Sequence, residues 1–457
     1  MFHRLGQSPL GGDDAFYSEV SKEMARTGDY LTTQNGYHPD FSTSKPPMLF
    51  WMNSLSGKIL SFDTFAMRLP SAILGFAGVI AFMFFVSRYF DYYTGFLSAL
   101  ILTFTQQYMY HARSAVTDGP FAVFFAFTLM SFWIARTEKN NVFYYVMGLF
   151  LGLSVMTRQI PGFFILPVIC LYILVSREFS ILKNFHFYAG FFLSACVFVP
   201  WHLSMYLKYG NVFLTQYFNV TLMTAFKGYP TDYSSMPSLN PWYAYLQILV
   251  NNYWPWLPFL IAGVYMHIKK LGSYENEYRL KTIYFLLWAV VPLLIFQLAK
   301  VKQYHYIVPL YAPFALISAT AFNGFREETR MKVTKWLMVI VACLTLSYVA
   351  FPIIPNTLDS REYIDTIKMV PAVKSLDGDL FTLKKGGFHY YNCLLFYADK
   401  KANIISPDEM IKLVKSPARS YFVVSKDAFS ELSKSVDVEG LYVIQTTKDS
   451  ILFRNNK

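Results

Sequence analysis

Two adjacent carboxylates, Asp13 and Asp14, and a third, Asp118, stand against a small set of cations: Lys45, Arg158, Lys300 and Lys302. Tyr17 follows the acidic pair, and His305 and Tyr306 follow the last two lysines. Asp118 opens an apolar run, VTDGPFAVFFAF, where an ionised carboxylate needs a partner. Arg158 interrupts another, SVMTRQIPGFF, and Lys300 and Lys302 separate two more. Each has an ordinary structural reading. Adjacent acids are common on exposed loops, and Asp118 with Thr117 can cap a helix. A lysine at an interface, as Lys45 would be, often only snorkels, and a lone interfacial histidine is usually satisfied. Together they suit one chemistry. A sugar joined to a lipid through phosphate already has a good leaving group. The protein then needs cations for the departing phosphate and one carboxylate to activate the acceptor. Basic residues in tight turns at a membrane surface favour phosphate as their partner.

The elements that must hold these residues are membrane helices. Hydrophobic residues make up 54% of the chain and charged ones 15%, too little charge to cover a soluble protein of 457 residues. Aromatic residues, at 19%, suit rings at both interfaces. A bilayer crossing takes roughly 17–25 residues. Ten stretches qualify: about 69–87, 92–110, 118–135, 141–157, 159–176, 186–207, 242–266, 282–299, 303–324 and 336–355. The net charge of +11 does not point to nucleic acid, because no basic run interleaves with aromatics on a soluble segment. It sorts between loops instead. Alternate loops carry Arg88, Arg136, Lys139, Arg177, Lys183, Lys269, Lys270, Arg279, Lys281, Arg326, Arg330, Lys332 and Lys335. The others carry Arg113, Arg158, Lys208, Lys227, Lys300 and Lys302. Thirteen against six places the first set in the cytoplasm, and residues 1–68 and the tail after about 356 outside. The four cysteines show no disulfide or metal spacing, and no Gly-rich phosphate loop follows a strand.

An outward-facing start must be translocated, yet residues 1–20 hold neither a signal peptide nor a span. The expectation is a transmembrane helix ahead of Met1 that this chain lacks. Ala15–Arg26 reads as a short amphipathic helix, and 46–60 (PPMLFWMNSLSGKIL) as an interfacial helix opened by prolines. The last hundred residues differ in kind. Strand-like runs at Leu380–Leu383, Ser420–Val424, Leu441–Gln445 and Ile451–Phe453 alternate with helical stretches, one opened by Ser406-Pro407-Asp408-Glu409. The expected fold is an α-helical polytopic membrane protein over residues 1–355, then a small extracytoplasmic α/β domain over 356–457.

These residues occur in an order that resembles the membrane glycosyltransferases of the protein O-mannosyltransferase type, and among them the bacterial branch of the lipid A aminoarabinose transferase. The matching segments are SPLGGDDAFYSEVSKEMARTGDYL, SKPPMLFW, Arg68-Leu69-Pro70-Ser71, RSAVTDGP, Thr157-Arg158, Pro200-Trp201 and KQYHYIVPLYAP. The resemblance implies a C-type glycosyltransferase fold with an outward active site and a helix just before the acidic pair. It implies Asp13 as the catalytic aspartate, Asp14 where the family usually has Glu, and Asp118 as a second functional acid. Lys45, His305 and Tyr306 then lie at or near the lipid phosphate. Three positions depart from the branch. Ser44 stands where it often has a Glu able to bind metal, Phe16 replaces an arginine, and Asn219 lies where a histidine is expected. No metal site is assigned, and a divalent cation is the one cofactor left to consider.

The expected activity is an inverting transfer of a hexosyl or pentosyl group from a polyprenyl-phosphate donor at the outer face of a bacterial inner membrane. The acceptor is lipid A, another glycan or protein. Asp13 serves as base, with Asp14 and Asp118 as the other catalytic acids, Asp118 supporting it or the acceptor, and Tyr17 is among the residues that bind the lipid phosphate. Arg158, Lys302, Lys300 and Lys45 grip the phosphate, with His305 and Tyr306 at its head group. A flippase for lipid-linked sugars would show internal repeats with helices broken at the midplane, and none is evident. An O-antigen ligase would not need the acidic pair. An inactive truncated homologue is the remaining alternative.

Overall fold

Segments that avoid charge over a membrane's width have few ways to satisfy their backbone in lipid, and the helix is the local one. The computed structural model describes residues 1–41, 45–226, 241–271, 276–350, 364–434 and 441–455. Ser44, Lys227 and the end of the last expected span, 351–355, lie outside them. The N-terminal part forms α1 (Gly12–Thr27), a two-residue hairpin of β1 (Gln34–Asn35) and β2 (His38–Pro39), and α2 (Met48–Leu60). The helices that follow are α3 (Thr64–Tyr89), α4 (Tyr92–Thr103), α5 (Gln106–Ala112), α6 (Asp118–Glu138), α7 (Val142–Arg158) and α8 (Ile165–Ser176). Next come α9 (Phe185–Phe226), α10 (Ala244–Tyr253), α11 (Leu257–Lys270), α12 (Asn276–Leu298), α13 (Tyr311–Ala321) and α14 (Glu327–Ala350).

Among the described residues, five helices are individually long and apolar enough to cross a bilayer: Thr64–Tyr89, Asp118–Glu138, Phe185–Phe218, Glu277–Leu298 and Tyr304–Gly324. Shorter apolar helices account for other expected spans. The stretch 92–110 breaks at Phe104 and Thr105, and 242–266 breaks at 254–256, where Pro255 can donate no helical hydrogen bond. The stretches 159–176 and 303–324 each open with 3-10 turns, Ile160–Phe164 and Tyr304–Leu310.

The chain divides into two compact units, and the division differs from a boundary at 355. One unit comprises Met1–His3, Asp40–Leu49 and Ser71–Pro352. The other comprises Arg4–Pro39, Phe50–Pro70 and Ile353–Lys457.

The first unit has an aromatic centre. Trp133 of α6 lies 4.9 Å from Tyr284 of α12, ring centre to ring centre, and Tyr172 of α8 meets the same tyrosine at 5.1 Å. Helices α7 and α9 approach more closely than side chains normally allow. A Cβ on Gly148 would fall 1.9 Å from the Gly190 carbonyl oxygen, and one on Gly190 would fall 2.2 Å from that of Tyr144. Such small-residue contacts are a usual way for membrane helices to pack. Within α9, Gly210 takes φ 58° and ψ −142°, which bends the helix there.

The second unit is built on a five-stranded sheet. Its strands are β3 (Leu380–Leu383), β4 (Ala402–Ile405), β5 (Tyr421–Ser425), β6 (Leu441–Thr446) and β7 (Ser450–Asn455), in the order β4-β3-β5-β7-β6. Strands β3–β4 and β3–β5 pair in parallel, and β5–β7 and β6–β7 antiparallel. The tail helices are α15 (Val370–Lys374), α16 (Lys384–Ala398), α17 (Pro407–Val414) and α18 (Lys426–Leu432). Ser406 and Glu409 close the capping box that their spacing predicts. The N-terminal segment belongs with this sheet because α1 packs on α16. Tyr397 Oη accepts from the Leu10 N–H at 2.8 Å, and Lys22 Nζ donates to the Phe396 carbonyl at 2.7 Å and to Asp399 at 2.6 Å.

Replacing Gly148 with Val forces the Gly190 backbone outward, an overpacking cost of about 1–3 kcal/mol or more. The expected outcome is loss of monodisperse protein on size-exclusion chromatography in detergent, and wild-type yield would refute the contact.

Candidate active site

In the first unit, the chemistry-bearing residues collect where α6 begins, α7 ends and α12 gives way to α13. Asp118 occupies the first turn of α6 and Arg158 the last turn of α7, and the two form an ion pair with both side chains about nine-tenths buried. Each charge sits at the helix end whose dipole favours it. The Arg158 guanidinium also lies over the Tyr306 ring, 5.3 Å from its centre. Gly119 is what brings α6 so near α5: a Cβ there would fall 2.4 Å from the His111 carbonyl oxygen.

His111 itself is buried, and neither ring nitrogen has a hydrogen-bond partner among the described residues. Burial, reinforced by the Arg158 charge, pushes its imidazole down to about 3, so the ring is neutral. Its ring lies 6.1 Å from His305 and 5.9 Å from Tyr304. His305 in turn feels the charges of Arg158 and Lys45, and its ring meets that of Tyr306 at 4.9 Å. Lys302 is buried, with Nζ donating to the Ala299 carbonyl at 2.9 Å and no carboxylate within ion-pair distance among the described residues. Lys300 is exposed. Of the expected residues, this unit therefore gathers Lys45, Asp118, Arg158, Lys302, His305 and Tyr306.

The acidic pair belongs to the second unit, and its two members differ. Asp13 is exposed in the first turn of α1. Asp14 is buried and accepts from Arg68 Nε at 3.0 Å and Nη2 at 2.6 Å. Arg68 also donates to the carbonyls of Leu5, Ser8 and Pro9 at 3.2, 2.7 and 3.1 Å. The carboxylate of Asp14 thus anchors the arginine that gathers the chain leading into α1. Tyr17 is buried, its ring 5.2 Å from Phe16 and 5.7 Å from Phe50. Six residues beyond Asp13, Glu19 is buried with Oε2 unpaired among the described residues. No group of three His, Cys, Asp or Glu side chains able to hold a metal occurs among the described residues.

The profile of the dolichyl-phosphate-mannose-protein mannosyltransferases matches residues 44–203. A protein of Aquifex aeolicus without an assigned function is 26% identical over 372 residues, 78% of this chain and 70% of its own. The undecaprenyl phosphate-α-4-amino-4-deoxy-L-arabinose arabinosyl transferase of Aeromonas hydrophila is 27% identical over 366 residues, 76% of this chain and 63% of its own. The chain spans 56% of the length of its counterpart from Photorhabdus laumondii. Among solved structures, ArnT from Cupriavidus metallidurans in the apo state superposes with a TM-score of 0.78 at 15% identity, covering 99% of this chain and 95% of that one. The oligosaccharyltransferase AglB of Archaeoglobus fulgidus gives 0.58 at 12% identity, covering 91% and 66%. The chain has the fold of these membrane glycosyltransferase structures.

Around this cluster the chain places residues that its sequence did not single out. Tyr245 of α10 is buried, its hydroxyl has no hydrogen bond among the described residues, and it lies beside Tyr306 and Arg158. Gln159, directly after Arg158, takes φ 48° and ψ −130°, a strained backbone for a residue with a side chain. Its N–H bonds to the Val155 carbonyl at 2.9 Å, its own carbonyl accepts from Gly162 at 3.0 Å, and its side chain bonds Tyr217. His202 holds Tyr217 from the other side at 3.0 Å.

Glu19 gives the second unit a pH dependence. Burial above all pushes its carboxyl up to about 7, with Lys22 and Arg26 pulling it down and Glu23 and Asp399 raising it further. The folded state thus favours the neutral acid. The stability it contributes is complete below its ordinary value of 4.5 and is lost as the pH rises through about 7. Glu19→Gln should flatten that loss and stabilise the protein at pH 8 by on the order of 2–3 kcal/mol. Thermal unfolding of both proteins from pH 5 to 8 checks this, and a variant no more stable than wild type at pH 8 contradicts it.

Proposed function

We propose that this chain transfers a sugar from a polyprenyl-phosphate donor to an acceptor at the outer face of a bacterial inner membrane. The observation that carries the reading is the cluster of buried Arg158, Lys302, His111 and Tyr245 with half-buried His305 and Tyr306, in which Asp118 is the carboxylate among the described residues. Cations and hydroxyls outnumber acids there, which suits a phosphate better than a neutral or cationic ligand. The names of the relatives agree with a polyprenyl-phosphate donor, and they favour a pentosyl group as the one transferred.

In this reading Asp13 takes the proton from the acceptor hydroxyl as its oxygen bonds to the anomeric carbon. The bond from that carbon to the phosphate oxygen breaks, and the polyprenyl phosphate leaves as an anion. Arg158, Lys302 and Lys45 neutralise the departing charge, with Lys300 at the outer margin and His305 and Tyr306 at the head group. Asp14 acts through Arg68 to position the start of α1, and Tyr17 packs the same helix. Asp118 orients Arg158. The loop-charge bias supports an outward-facing site.

Two variants separate binding from chemistry, assayed with purified protein and a radiolabelled polyprenyl-phosphate sugar. Asp13→Asn should abolish transfer while binding the polyprenyl phosphate as wild type does, and full activity would remove Asp13 from the mechanism. Lys302→Ala should weaken polyprenyl-phosphate binding by about 10- to 100-fold, the loss of one charge-assisted hydrogen bond of about 1.5–3 kcal/mol. Unchanged affinity would take Lys302 out of the phosphate site. Mass spectrometry of the lipid and glycan fractions of a deletion strain against its parent then identifies the sugar and the acceptor.

A further inference from the structure

At the other end of α12 lies a second polar site that the transfer reaction does not use. Lys281 stands 17 residues before the end of α12, about 26 Å along its axis, so it and Lys302, just past that end, lie near opposite sides of a hydrocarbon core of about 30 Å. Beside Lys281 opens a cavity of about 290 Å³, bounded by Phe90, His267, Tyr278, Thr320 and Asn323 as well as by Asp91. At about 30 Å³ per water, it has room for roughly ten waters or one phosphoglycerol-sized head group.

The charges around the cavity are not balanced. The Asp91 carboxylate is taken by the Thr94 N–H at 2.9 Å and hydroxyl at 2.7 Å, with Arg330 at 3.9 Å. Glu277, the acid nearest Lys281 in sequence, is engaged by Arg136 at 2.6 Å. Lys281 donates to the Tyr89 carbonyl and lies 4.8 Å from the centre of the Phe90 ring, but no carboxylate is within ion-pair distance of it among the described residues. An ammonium with one carbonyl partner keeps further N–H donors to offer. Asn323 supplies an amide, its Nδ2 3.0 Å from the Thr94 hydroxyl. His267 sits between the hydroxyls of Thr282 and Thr320, at 3.3 and 3.0 Å. Residues at the helix ends on this side, Lys269 and Arg279, and Arg326 in the turn before α14, make the surroundings basic. A partly buried unneutralised lysine, flanked by amide and hydroxyl groups in a basic interhelical cavity, is suited to a phosphate group.

We propose that this cavity binds a phosphate group, carried by a lipid head group of the leaflet opposite the Arg158–Lys302 end or supplied from solution, with Lys281 as its principal cation. The site is independent of the transfer reaction.

The test is thermal unfolding of the purified full chain in detergent with phosphatidylglycerol, phosphatidylcholine or inorganic phosphate added, for wild type, Lys281→Gln and Lys302→Ala. Phosphatidylglycerol should raise the Tm of wild type and of Lys302→Ala by several degrees, phosphatidylcholine much less, and Lys281→Gln should lose the response. An equal shift with inorganic phosphate upholds the phosphate site and assigns its source to solution. A response that survives Lys281→Gln, disappears in Lys302→Ala, or is absent from wild type overturns the proposal. Should Lys281→Gln fail to fold, a head-group-photoreactive phosphatidylglycerol applied to wild type decides. Label on 266–282 or 320–323 supports the site, and label confined to the residues around Lys302 refutes it.

Discussion

The ion pair between Asp118 and Arg158 is the constraint around which the first unit's site is organised. Two charges taken out of water cost several kcal/mol each unless geometry and further contacts compensate. Here the compensation is built into the chain. Asp118 begins α6 and Arg158 ends α7, so both helix dipoles act in their favour, and the Tyr306 ring covers the guanidinium. The pair can form only if the turn after Arg158 reverses abruptly and the turn before Asp118 comes close. Gln159 absorbs the first demand in a strained backbone, held by Tyr217 and His202, and Gly119 meets the second. An arginine so fixed can meet an arriving phosphate with little reorganisation, which is what electrostatic catalysis requires.

The second unit solves a different problem with the same chemistry. There the arginine is a strut. Arg68 spends its donors on the carbonyls of Leu5, Ser8 and Pro9 and on the Asp14 carboxylate, which fixes the approach to α1. Of two adjacent aspartates, one is thereby buried and committed, and the other is left exposed at the helix start. Helix periodicity alone enforces that division, since consecutive residues point about 100° apart around the axis.

Much of this was legible in the sequence. The described parts of the expected spans are mostly helical, two of them broken, the interfacial helix 46–60 appears as Met48–Leu60, and four of the five tail strands were read from their alternation. The fifth, Ala402–Ile405, is a short run without turn signals strong enough to mark it. Asp118 and Arg158 were legible as separate oddities in apolar surroundings, but their pairing was not, because it depends on how α6 and α7 return on each other. Tyr245 left no sign: in YAYLQIL it is one aromatic among apolar neighbours, and only packing brings it beside Tyr306. The same holds for His111, whose unpaired nitrogens are a property of burial rather than of spacing. Unit membership also escaped the sequence. Hydropathy assigns residues 1–68 by their nearness to the spans, whereas Arg4–Pro39 joins the tail's sheet through α16, a contact between segments more than 370 residues apart.

The two ends of the helix bundle handle charge in opposite ways, and this asymmetry argues for where its chemistry lies. At the end marked by Glu138, Arg136 is held by Glu178 and Glu277, Arg88 by Glu138, and Arg330 lies near Asp91. Each of these three arginines meets a carboxylate. At the Asp118 end that carboxylate meets Arg158, while Lys302 is buried against a carbonyl and neutral His111 has no hydrogen-bond partner among the described residues. Stability gives no reason to bury a lysine on a lone carbonyl or a histidine on nothing. Unbalanced groups of this kind persist where a ligand completes them, and an anion held among apolar walls is the ligand that would complete these.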